Sequence, residues 1–233
     1  MKTLIMGALD EEIDGIYAAM KDRRELKAGA FTVYGGKLYK EEILLCRCGI
    51  GKVNSAAATS AVLAVLGGAD RVINTGVAGG IGKGIKRGDV VLGTRTVQHD
   101  FDATADGARK GQVAGFDSEF FDGDTYMLEK MERALSAENI PYHKGIIASG
   151  DKFIADNAVA DGLNAEFGAI SCEMESAAIA QVCALYGVPF LAMRAISDNG
   201  GDGAVESFYE FVHKAANNNA RAINEFFRAE SEL

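Results

Sequence analysis

Short apolar runs alternate along this chain with segments in which apolar residues recur every three to four positions, and no other feature limits the fold as tightly. Residues 3–6, 71–75 and 188–196 are runs of the first kind, and 89–97 and 145–149 read as further strands. A strand that is apolar throughout must be covered on both faces, the condition of a largely parallel sheet between two layers of helices. The helical segments supply the covers. Ile13, Ile16, Tyr17 and Met20 follow at i, i+3, i+4 and i+7, with Asp10 placed to cap or charge the start. Residues 52–66 form a second helix that Gly67-Gly68 ends, and Leu128, Met131 and Leu135 mark a third. Residues 175–186 are helical up to Gly187. Phe208, Phe211, Val212, Ala215, Ala222, Ile223 and Phe226 form one face of a long last helix. Residues 31–34 and 42–48 are expected as strands around a turn at Gly35-Gly36.

The 233 residues carry no internal repeat, stiff linker or low-complexity tract, so residues 1–233 read as one domain. Residues 100–124 show little periodicity and many glycines; they are the expected long loop, and long loops inside compact domains are usually functional. A net charge of −9 argues against a nucleic-acid partner, which needs clustered Lys and Arg, but not against an uncharged nucleoside. No apolar run is long enough to span a membrane, and no secretory signal precedes the first strand. The expectation is a cytoplasmic protein in which Cys46, Cys48, Cys172 and Cys183 are reduced. His99, His143 and His213 are scattered without metal-ligand spacing, so no metal site is expected.

Sheets of this kind bind ligands at the carboxyl ends of their strands. Several polar clusters fall there. Glu12 lies just past the first strand, where a carboxylate serves either a helix start or a reacting water. Gly76-Val77-Ala78-Gly79-Gly80 follows a strand and lets backbone N–H groups approach a ligand, yet it lacks the G-K-[ST] of a phosphate loop. Glu173-Met174-Glu175 interrupts apolar sequence; in extended backbone its two carboxylates face one side, and one of them suits a ribose diol. Asp198 ends an apolar strand, where burial favours a protonated acid, and Arg194 precedes it by four residues. Phe153 is an aromatic among polar residues, suited to stacking on a base or to the core.

Taken in order, MGALDEEI (6–13), CGIGKVNSA (48–56), NTGVAGG (74–80), GDVV (88–91), SGDKFI (149–154), CEMESAAIAQVC (172–183) and VPFLAMRAISD (188–198) resemble the bacterial 5′-methylthioadenosine/S-adenosylhomocysteine nucleosidases of the purine nucleoside phosphorylase superfamily. The resemblance spans nearly the whole chain. It implies a three-layer α/β/α sandwich with a mixed, mostly parallel twisted sheet, a homodimer, no cofactor, and a part in methionine salvage. It implies that Glu12 activates the attacking water and Asp198 protonates adenine N7. Glu175 would grip the ribose hydroxyls with Met174 against the sugar. Phe153 would stack on adenine, the Ile154 backbone would read its edge, and Gly79 would line the pocket. Arg194 would order Glu12 and the water, and Phe208 would close the 5′-substituent pocket, its own or the neighbouring subunit's. The chain departs from the family at Val77, where a serine is common, at Asp106, where an aromatic is common, and at Leu9, where a methionine is common.

Three alternatives bear on the same residues. Phosphorolysis needs cations for phosphate, and the chain has Asn74 and Thr75 where phosphorylase relatives have an arginine before the glycine loop. Futalosine-type nucleosidases share the motifs, and Val77 and Asp106 leave that substrate open. A non-catalytic nucleoside-binding protein is a third reading. It has no use for a water-activating base beside Glu175 and Asp198.

Overall fold

The computed structural model describes residues 1–201 and 203–232. In chain order the elements are β1 (Lys2–Gly7), α1 (Asp10–Ala19), β2 (Lys21–Ala28), β3 (Phe31–Leu38), β4 (Glu41–Arg47), α2 (Lys52–Val65), β5 (Arg71–Gly80) and β6 (Val90–Gln98). They continue with β7 (Phe120–Asp122), α3 (Thr125–Ala137), β8 (Tyr142–Ser149), α4 (Asn157–Phe167), β9 (Ala169–Glu173), α5 (Ser176–Tyr186), β10 (Phe190–Asp198) and α6 (Ala204–Ser231). The core strands are buried from end to end, as their sequences require; β10 has no exposed residue in its whole length.

One mixed sheet carries the fold. β4, β1, β5 and β10 run parallel through its centre, as do β6, β8 and β9. β2 and β3 extend one end as antiparallel strands, and β10 meets β6 antiparallel. Two apolar layers cover the sheet. α1, α3 and α6 close over Ile5, Ile73, Leu92, Met193 and Phe226 on one face, and α2 and α5 over Met6, Val62, Val72, Ile179 and Ile196 on the other. This is the α/β/α sandwich expected.

β5 positions the site. β1 pairs with it only from Arg71 to Asn74. β9 takes over on the same side at Gly79 and Gly80, so β10, β6, β8, β9 and β5 close a ring. Between Asn74 and Gly79 that edge of β5 has no strand partner, and its backbone groups are open to side chains. Such a gap at the strands' carboxyl ends is where α/β sheets bind ligands.

Gly35-Gly36 is not a turn. Both residues lie inside β3, and the reversal occurs at Tyr39-Lys40, where Tyr39 has φ +53°. The glycines serve close strand contact: a Cβ on Gly36 would stand 2.8 Å from the Lys21 carbonyl oxygen. Inside the expected long loop lie a one-turn 3₁₀ helix at Thr104–Asp106 and the short strand β7. β2, α4 and β9 are elements that the sequence pattern did not announce.

Candidate active site

Glu12 sits in the first turn of α1, but it does not face solvent. Its Oε2 accepts the amides of Ala8 at 2.6 Å and Leu9 at 3.0 Å, and its Oε1 accepts the amide of Val77 at 2.9 Å. The last of these is a donor freed by the gap along β5. Gly76 makes room for the arrangement: a Cβ there would lie 2.1 Å from Arg194 Nη1 and 2.6 Å from Glu12 Oε1. Burial raises the pKa of Glu12, against the pull of Arg194 and the three amides.

Arg194 lies on β10 beside Gly76 and is wholly buried. Its Nη2 pairs with Glu173 and with Asn74 Oδ1, and it stands 3.6 Å from Glu175 Oε2. Its Nε donates to Ser176 Oγ at 3.1 Å, whereas its Nη1 has no hydrogen-bond partner among the described residues. Burial disfavours the guanidinium charge, but Glu173, Glu175 and Glu12 outweigh it and hold the pKa up.

β9 ends at Glu173, and Glu175 is the N-cap of α5. The two carboxylates diverge in role. Glu173 is spent on structure: it accepts the amides of Glu175 and Ser176, the Ser149 hydroxyl, and Arg194. Glu175 accepts one protein amide, that of Gly51, at 2.9 Å. Its pKa is pushed up to about 8 by burial and then by the charge of Glu173, with Arg194 opposing. Asp198 closes β10 opposite Gly79. It accepts the Gly200 amide at 2.7 Å and the Ser197 hydroxyl at 2.8 Å, and burial raises its pKa against both.

These groups face one cavity of about 390 Å³, a volume that suits a small organic ligand. Glu12, Gly79, Phe153, Ile154, Met174, Glu175, Asp198 and Phe208 all line it, while Arg194 lies behind its wall. Gly79 must be glycine, since a Cβ would meet Asp198 Oδ1 at 2.9 Å and Gly200 Cα at 2.8 Å. Phe153 is half-exposed at the rim and meets Phe208 of the same chain edge-to-face at 5.9 Å. Val77 and Leu9 also line the cavity; Asp106 does not, and lies exposed in its turn. Sequence reasoning missed Asn74 and Ser176 as partners of Arg194, and Ile50, Lys152, Val205 and Tyr209 as lining residues. The signal for Asn74 was a polar side chain in a buried strand, which needs a partner wherever it occurs.

The chain matches the phosphorylase superfamily over residues 2–228. It is 38% identical over 226 residues to the 5′-methylthioadenosine/S-adenosylhomocysteine nucleosidase of Haemophilus influenzae (strain PittEE), covering 97% of this chain and 98% of that protein. The Neisseria meningitidis nucleosidase of the same name, solved in complex with methylthio-immucillin-A, superposes with a TM-score of 0.94 at 38% identity, covering 98% and 99% of the two chains. The futalosine hydrolase of Helicobacter pylori strain 26695 superposes at 0.93 with 30% identity, covering 98% of each. The chain therefore belongs to the phosphorylase superfamily and, within it, to the 5′-methylthioadenosine/S-adenosylhomocysteine nucleosidases, which makes it an N-glycosyl hydrolase.

Proposed function

We propose that this enzyme hydrolyses 5′-methylthioadenosine and S-adenosylhomocysteine at the N-glycosidic bond, releasing adenine and the 5′-thioribose. The observation that carries the reading is the convergence of Glu12, Glu175 and Asp198, from three distant parts of the chain, on one cavity. Bond cleavage leaves positive charge on the ribose and negative charge on the base. Asp198, with its raised pKa, holds a proton to give to adenine N7. Glu12, held by three amides and faced by Arg194, is the base that takes a proton from the attacking water. Glu175 has acceptor capacity left for the ribose hydroxyls, and Met174 packs against the sugar. Phe153 stacks on adenine, the Ile154 backbone reads its edge, Gly79 lets the base close on β5, Arg194 orders Glu12 and the water, and Phe208 bounds the 5′ group.

Phosphorolysis is disfavoured by the same geometry. Asn74, at the position read against an arginine, donates to the Met6 carbonyl at 3.0 Å and accepts from Arg194 and Ser176. Arg194 is itself committed to carboxylates. A cytoplasmic homodimer working in methionine salvage goes with the proposal. Ile50, Val205 and Tyr209 form exposed apolar surface at the cavity rim that a second copy would cover, and all four cysteines are free. The test is adenine release from 5′-methylthioadenosine with and without phosphate, beside aminodeoxyfutalosine. Phosphate-independent release with a preference for the thio-nucleoside is expected. Strict phosphate dependence, or a preference for the futalosine, would overturn the assignment.

A further inference from the structure

The cavity wall on the Phe153 side is irregular backbone, since residues 151–156 belong to no strand or helix. No ladder fixes that segment, yet three of its residues, Lys152, Phe153 and Ile154, line the cavity. The amide held against Glu175 is likewise carried by a turn, at Gly51, where φ is +98°. Both segments are tied to one cluster that lines no part of the cavity.

The cluster centres on Lys52, the first residue of α2. Its amide donates to Asp151 Oδ1 at 2.8 Å, one residue after the Gly51 amide donates to Glu175. Its Nζ donates to Asp100 Oδ1 at 2.6 Å and to Gln98 Oε1 at 3.2 Å. Asp100 Oδ2 accepts the Asp151 amide at 2.9 Å, which closes a loop of charge-assisted hydrogen bonds. Gln98 Nε2 donates to Gln181 Oε1 at 2.6 Å, on the helix that Glu175 caps. Gly51 permits the approach: a Cβ there would stand 3.0 Å from Asp151 Oδ1. The end of β6, the start of α2, the loop after β8 and α5 thus meet through Lys52 and Asp100.

We infer that Lys52, Asp100 and Asp151 are positioning residues for substrate binding: together they set the Gly51 amide under Glu175 and hold Phe153 and Ile154 at the base. The inference rests on the assignment of Glu175 to the ribose and Phe153 to adenine. Binding sites are sensitive to such support, because small displacements of oriented groups lose binding energy without touching the reacting atoms.

The test is steady-state hydrolysis of 5′-methylthioadenosine by Asp100→Asn, Lys52→Met and the double variant, with Tm measured on each and Glu175→Gln assayed alongside. Lys52 and Asp100 are partly solvent-exposed, so both single variants should fold. Each single variant should raise KM by about tenfold while kcat stays within about threefold. The double variant should match the worse single, because the two act through one network. Asp100→Glu, which keeps the charge, should recover part of the loss. A KM within about twofold of wild type in both single variants, even with a lowered Tm, overturns the inference, and so do fully additive effects in the double. If Glu175→Gln also leaves KM unmoved, the parent assignment has failed; if it alone raises KM, only the network has.

Discussion

Arg71 and Arg194 are the two largest fully buried side chains among the described residues, and they are buried in opposite ways. Arg71, at the start of β5, meets one carboxylate: both of its terminal nitrogens pair with Glu230. Its Nε donates to Thr3 Oγ1 at 2.8 Å, and its guanidinium lies over Phe226 and Phe227 at 4.9 and 5.5 Å. Every donor is matched, and the group ties the end of α6 to the sheet. Arg194 faces three carboxylates, and one of its nitrogens has no partner. A saturated pair holds a fold together. A pocket with excess acid and an open donor has capacity left for a ligand and a proton, and surplus of that kind marks chemistry.

The comparison breaks most sharply at Arg194. Arg194→Met should lower kcat/KM by at least ~10²-fold, the scale of losing one oriented donor at a reacting centre. The carboxylates left behind must then take up protons, so its loss of stability should grow with pH; thermal melts across pH read this. Arg71→Met should do the reverse, costing about 3–5 kcal/mol in denaturant unfolding as a broken buried pair, with kcat/KM unchanged. If Arg71→Met were inactive while folded, the contrast between the two arginines would be false.

A second test sharpens the surplus of acid. Glu175 goes from an ordinary 4.5 to about 8 in the folded protein. A carboxyl that holds its proton more tightly when folded loses stability for the fold as pH rises between those two values. Glu175→Gln should remove that slope. Its Tm should exceed that of the wild type at pH 8 but not at pH 4.5, by about 2–4 °C for each kcal/mol recovered. The same variant should raise KM, so the site gains stability as it loses function. Equal slopes in the two proteins would place the extra proton elsewhere.

The smallest effect is expected at Val77. Its backbone, not its side chain, supplies the hydrogen bond to Glu12. Val77→Ser adds a hydroxyl to the cavity wall without altering that bond, and should change kcat/KM by less than about tenfold, the range of one hydrogen bond of 0.5–1.5 kcal/mol. A larger gain would mean that the hydroxyl missing here normally holds the water.

The same distinction governs what the sequence revealed. Apolar strands such as β10 and the helix faces of α1 and α6 carry their burial in their periodicity, so the layers were legible. So were the carboxylates of Glu12, Glu175 and Asp198, each of which stands where an apolar run ends. β2 was not: KDRRELKA is an edge strand, exposed along most of its length, and neither alternates nor runs apolar. α4 did leave a trace in Ala160, Leu163 and Phe167, with Asp156 accepting the Val159 amide at its start and Gly168 at its end. Gly35-Gly36 misled because glycine serves close strand contact as readily as reversal. The Lys52, Asp100 and Asp151 cluster was invisible, since residues 48 and 99 positions apart in the chain meet only once the strands are in order.

The most direct test is kcat/KM for adenine release from 5′-methylthioadenosine by Asp198→Asn, which keeps the shape and hydrogen bonding of the side chain but has no proton to give N7. The account predicts a fall of roughly 10²–10⁴-fold with the fold intact. Full activity in Asp198→Asn would show that the leaving base is protonated by another group, or by none, and would contradict the account.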